Sequence, residues 1–104
     1  MAMTAPAYAS SSRTVSYGGT ARGSASFDSH GEVIKVKDLR KDGRWVSVTA
    51  SWDSEVEQCA NTKGSGTTVT CNWSIPEGKK VEFELIATKG GEELPPRVTW
   101  SDRA

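Results

Sequence analysis

At 104 residues the chain is long enough for one small domain with a single core, and too short for several. Its 13 Lys and Arg balance 13 Asp and Glu, so no net field draws in nucleic acid or a membrane surface. No apolar run approaches the roughly 18 to 20 residues that cross a bilayer as a helix. The charge is divided unevenly along the chain: residues 1–52 hold seven basic and four acidic side chains, and residues 53–104 hold six and nine. Helix formers are scarce in runs, while Val, Thr, Ser, Trp and Gly recur in short alternating segments. The class is all-β.

Residues 1–12 are Ala, Ser, Thr and Pro without periodicity and are expected to be disordered. The first nine, MAMTAPAYA, end in Ala7-Tyr8-Ala9, the small-x-small form of a signal-peptidase site, but lack a full apolar stretch before it. They read either as the end of a leader or as a bland Ala/Pro tail. Residues 13–17 have strand composition, with Val15 and Tyr17 on one face, and stop at Gly18-Gly19. Behind a flexible tail and before a glycine hinge, they are expected to form, with residues 1–12, a tail (1–19) attached to a domain of residues 20–104. The other reading makes residues 13–17 the first strand of that domain.

Residues 21–27 place Ala21, Gly23, Ala25 and Phe27 on one face, the pattern of a strand that tolerates close approach, and residues 28–31 read as a turn. Residues 31–52 are the centre of the pattern. Ile34 and Val36 alternate with Lys35 and Lys37, and Val46, Val48, Ala50 and Trp52 alternate with Ser47, Thr49 and Ser51. An Asp42-Gly43 turn is expected between the two strands, making a ribbon whose apolar face needs a second sheet to cover it. Residues 53–66 read as a long irregular segment. Residues 67–75 alternate again, with Val69, Cys71, Trp73 and Ile75 on one face, and Pro76-Glu77-Gly78 is a turn. Residues 79–88 are the best-patterned strand, with Val81, Phe83, Leu85 and Ala87 inside. After Gly90-Gly91 and Pro95-Pro96, Val98 and Trp100 form a last short strand. About seven strands at this spacing predict a single antiparallel β-sandwich, immunoglobulin-like or related.

The two cysteines, Cys59 and Cys71, are too few for a zinc site, even with the single His30. A disulfide accounts for both, closes a loop of about a dozen residues and contributes about 3 kcal/mol. It implies an oxidising compartment, so a secreted protein. Two reduced cysteines in a cytosolic domain are the alternative. The predicted bridge pins the irregular segment to the core.

No constellation carries catalytic or cofactor chemistry. His30 sits in a Gly-flanked turn, and no serine has an elbow context. Asp53, Glu55 and Glu57 lack the spacing and glycine of a calcium loop, so no metal is expected. Lys35, Lys37, Arg40, Lys41 and Arg44 make a basic strip that Asp38 and Asp42 interrupt, with no aromatics for base stacking. It reads as a solvated hairpin tip. Asn72-Trp73-Ser74 matches a glycosylation sequon by chance, mid-strand beside a tryptophan expected in the core. Trp45 lies opposite to Val46 and Val48 and is expected to be exposed, and with Arg13, Val15 and Tyr17 it is a candidate anchor for a partner.

The Ser/Gly-rich TARGSASFDSHGE, the turn KDLRKDG, the paired cysteines and CNWSIPEGKKVEFEL together resemble a family of small secreted actinobacterial β-sandwich proteins with a cystine. The likeness covers residues 20–104. One branch supplies the adaptor subunit of umbrella-like antibacterial toxin particles, joining a large toxin chain to lectin subunits, with the adaptor's N-terminal segment in a lectin cleft. The resemblance therefore implies a non-enzymatic adaptor whose partners are a lectin subunit and a large toxin chain. A secreted protease inhibitor presenting residues 55–66, and a small carbohydrate-binding module, are the other readings.

Overall fold

A computed structural model describes residues 10–29, 31–39, 45–89 and 92–104, without the side chains of residues 94–96. Alternation is converted into two packed antiparallel sheets of four strands each. The strands are β1 (Ser10–Tyr17), β2 (Thr20–Asp28), β3 (Val33–Asp38), β4 (Trp45–Trp52), β5 (Glu55–Asn61), β6 (Thr68–Asn72), β7 (Lys80–Lys89) and β8 (Glu92–Arg103). One sheet has the order β1-β2-β3-β6 and the other β5-β4-β7-β8. The inward residues of each strand fill the space between the sheets, and Ile34, Val36, Val46, Val48, Val81 and Leu85 are wholly buried.

Three expectations are corrected here. The two strands of residues 31–52 do not form one ribbon: β3 pairs with β2 and β6, and β4 pairs with β5 and β7 in the opposite sheet. Two strands facing each other across a core show the same alternation as two strands paired side by side, so the pattern alone does not separate them. The Asp42-Gly43 turn lies outside the described residues, as do His30, Arg40, Lys41, Arg44, Gly90-Gly91 and residues 1–9. Secondly, residues 55–61 of the expected irregular segment are a strand, entered by a tight turn in which Asp53 takes φ +51°. Only Cys59 and Asn61 of that strand are buried, because it lies at a sheet edge, and its charged composition masks its period. Thirdly, β1 belongs to the sandwich. Gly18 and Gly19, with φ of +61° and +77°, form a two-residue turn that pairs Tyr17 with Thr20 and folds β1 back onto β2. Two positive-φ residues make a hairpin, where the sequence reading placed a hinge.

The small face of β2 has the use its composition suggests. A Cβ built on Gly23 would stand 2.5 Å from a Val46 methyl, so the first sheet passes too close to β4 for any side chain there. From Phe27 an aromatic row crosses the core: Phe27 to Phe83 at 4.8 Å between centroids, then Phe83 stacked on Trp100 at 5.0 Å.

The bridge Cys59–Cys71 is formed, with Cα atoms 6.1 Å apart. It joins β5 to β6, the edge strands of opposite sheets, rather than a loop to the core. Beside it, wholly buried Asn61 donates through Nδ2 to the carbonyls of Val36 and Thr67 at 3.0 and 2.9 Å. Its Oδ1 accepts from the Lys63 amide at 3.0 Å and the Thr67 hydroxyl at 3.1 Å. One side chain thus ties β5 to β3 across the core and holds the turn before β6. Asn61→Ala leaves two carbonyls without these donors and should cost about 3 kcal/mol. Denaturant unfolding of the variant checks this, and a loss under about 1 kcal/mol would show that water replaces the amide.

Candidate functional site

The four expected partner-binding residues do not share one surface. Val15 is 1% exposed and packs in the core, so it is not available to a partner. Arg13 shares its inward direction: its guanidinium lies 5.7 Å from the Trp100 ring centroid and donates to the Ser12 carbonyl at 2.8 Å. Tyr17, 38% exposed, stands at the β1–β2 hairpin. Trp45, 57% exposed, projects from the outer face of the other sheet. Arg13 and Val15 keep the common face that alternation gives them, but because β1 pairs with β2 that face is turned to the domain's own core and not to a partner.

What holds β1 is local and thin. Besides its ladder to β2, it offers the core Val15, and its Ser11 hydroxyl accepts from Trp100 Nε1 at 3.0 Å. A bulge between Val15 and Ser16 closes the regular ladder towards the hairpin. β1 faces β8 across one rim of the sandwich, as β5 faces β6 across the other. Trp100 joins the first rim by a hydrogen bond and a cation–π contact, and the cystine joins the second.

Four strands have an outward edge, and three of them carry features that discourage pairing. β5 carries Glu55 and Glu57 and is tied by the bridge, and β6 is five residues long. β8 is interrupted where Pro95, Pro96 and Arg97 stand opposite the single Ile86 of β7. β1 runs eight residues without proline or carboxylate, and its one charge, Arg13, is drawn in towards Trp100. Among the described residues, its outer row of backbone groups is the edge that carries none of these protections. Sequence reasoning selected this segment for its composition, but not the reason it matters, since which strands become edges is decided by the sheet order.

The other candidate groups do not converge. Asp53 pairs with Lys79 at 3.1 Å, and among the described residues no three His, Cys, Asp or Glu side chains group as a metal site would. Glu55 and Glu57 line a shallow groove with Trp52, Asn72, Trp73 and Ser74. Trp52 is buried and Trp73 half-buried, so neither offers an open ring for a sugar. Asn72 of the sequon is the exposed last residue of β6, rather than mid-strand. Val56, 64% exposed, was missed. Its odd spacing from Cys59 puts it on the outer face, a signal present in the sequence. On that same face Arg97 bridges Glu84, at 3.0 Å, and Glu93, and these hydrogen bonds, Glu93 foremost, raise the guanidinium pKa.

No protein-family model matches the chain, and comparison with curated proteins and with solved structures finds no significant match.

Proposed function

We propose that this protein is a non-enzymatic secreted adaptor, which binds a protein partner by adding a partner strand to the free edge of β1. The observation that carries this reading is the open edge itself, eight residues long beside an exposed Tyr17. Main-chain hydrogen bonds along such an edge supply affinity, and alternate side chains supply selectivity. The cystine between two edge strands supports a role outside the cell, where such bonds persist. The resemblance to adaptor subunits of umbrella-like toxin particles makes a lectin subunit and a large toxin chain the partners of choice. The mode differs from a free tail entering a cleft: Val15 keeps β1 in its own sheet, so the partner comes to the strand.

Copurification of the tagged protein from culture medium, with mass spectrometry, identifies the partner. Hydrogen exchange on the complex then tests the mode. Amides of Ser10–Tyr17 that point away from β2 should exchange at least about tenfold more slowly in the complex, while those of β5, β6 and β8 keep their free rates. Protection centred on another edge, or no stoichiometric partner at all, would overturn the proposal.

A further inference from the structure

The uneven charge of the sequence becomes a difference between the two faces of the sandwich. β1, β2 and β3 come from the basic half and build most of one sheet, whereas β7 and β8 come from the acidic half and build part of the other. Directly opposed residues on paired strands share a face. The register therefore sets two successive rows on the outer face of the first sheet: Ser12–Ser26–Lys35–Thr70 and Thr14–Ser24–Lys37–Thr68. Each row carries three hydroxyls and one ammonium group, and neither contains a carboxylate. Ser24 is half-buried and the other seven are exposed.

A shallow trough follows these rows, walled by Ser12, Ser26 and Lys35 towards one end and by Thr14, Ser24 and Lys37 towards the other. Asp28 closes the first end, in the next row. Neither lysine is ion-paired with a described residue, whereas on the opposite sheet Lys80 pairs with Glu82 at 3.3 Å and Arg97 with Glu84 and Glu93. Lys80 and Arg97 of the acidic face are thus paired within the described residues, and Lys35 and Lys37 of the hydroxyl face are not.

We infer that this hydroxyl-and-lysine face binds a linear polyanion of phosphate groups, laid along the trough over Lys35 and Lys37. Three features of the face choose this ligand class. Neither row holds an aromatic or large apolar side chain, the anchors a protein interface concentrates at its centre. The same lack removes the stacking platform that single-stranded nucleic acid uses. The cation in both rows is lysine, a compact point charge that can meet phosphate oxygens from any direction while the neighbouring hydroxyls take the remaining ones. Alternate strand positions set the Cα atoms of the two lysines roughly 6.5 to 7 Å apart along β3. The hydroxyls of β1, β2 and β6 on either side can donate to the remaining phosphate oxygens. This inference rests on the sheet register and not on the β1 edge, so it stands or falls apart from the adaptor reading.

Titration of the whole protein with labelled short inorganic polyphosphate chains tests it. Binding should weaken with salt at a slope of about −1.4 in log K against log concentration, the value for two neutralised phosphates on a single chain. Lys35→Gln with Lys37→Gln should weaken binding about thirtyfold, with the melting temperature unchanged. Lys80→Gln, on the other face, should leave binding intact. No binding at low salt, equal loss with Lys80→Gln, or equal affinity for heparin or poly-glutamate would overturn the inference.

Discussion

Deleting residues 1–17 should lower the melting temperature by about 20 °C or more, against the small change expected if this segment were a tail. Burying Val15 stabilises the fold by about 2 kcal/mol. The Ser11–Trp100 hydrogen bond adds about 1 kcal/mol, and its loss leaves a half-covered indole with no partner on that side. Ala25, Phe27 and Trp100, all at most 7% exposed, would face water at the rim that β1 now covers. The total is about 4 to 6 kcal/mol, a large part of the 5 to 15 kcal/mol that holds a small domain. At about 4 to 8 °C for each kcal/mol, the domain loses most of its thermal margin. Circular dichroism melts of the full and shortened chains decide the matter. A shortened protein that melts within about 5 °C of the full chain would mean that β1 contributes nothing to the sandwich. Val15→Ala separates the two contributions, since it should remove about 2 kcal/mol and leave the edge ladder standing.

Reduction of the Cys59–Cys71 bridge should lower the melting temperature by roughly 12 to 24 °C. The bond closes a loop of 12 residues, which in the chain-entropy account constrains the unfolded state by about 3 kcal/mol. Here it also holds together two edge strands that have little else to secure them: β6 is five residues long, and most of β5 is exposed. Amide exchange should therefore accelerate first along β5 and β6, while the β7–β8 ladder keeps its protection. The comparison is between the native protein with and without reductant, its thiols counted by alkylation. The double substitution Cys59→Ala with Cys71→Ala serves as a reference that reductant cannot move. Equal melting of the oxidised and fully reduced protein would show that Asn61 and the core suffice at this rim.

These two rims also explain why a small sandwich with a modest core stays closed. At one, a covalent bond and a buried amide cross between the sheets. At the other, a tryptophan reaches across by its ring nitrogen. The second rim holds β1, whose edge among the described residues has no proline, carboxylate or covalent tie, and it is the weaker of the two. A partner strand added there would extend the ladder on β1 and stabilise the very element that depends most on its neighbours.

Local chemistry made the class and most of the core legible in the sequence. Ile34 with Val36, Val46 with Val48, and Val81 with Phe83 and Leu85 alternate because a strand turns successive side chains to opposite sides, and all of them are buried. The small residues of β2 announced a close approach, and Gly23 against Val46 is that approach. The cystine followed from the cysteine count and spacing. Pairing was decided elsewhere. Period-2 alternation tells which side a residue faces but not which strand lies beside it, so β3 and β4 looked like a ribbon although they lie in opposite sheets. The acidic sequence of β5 hid a strand because, at an edge, only Cys59 and Asn61 need to be buried. Gly18-Gly19 permits a hinge or a hairpin equally well, and only the covering of Val15 and Trp100 by β1 selects the hairpin. The open edge and the lysine rows depend on sheet order and register, which are long-range choices made when two sheets close over one core.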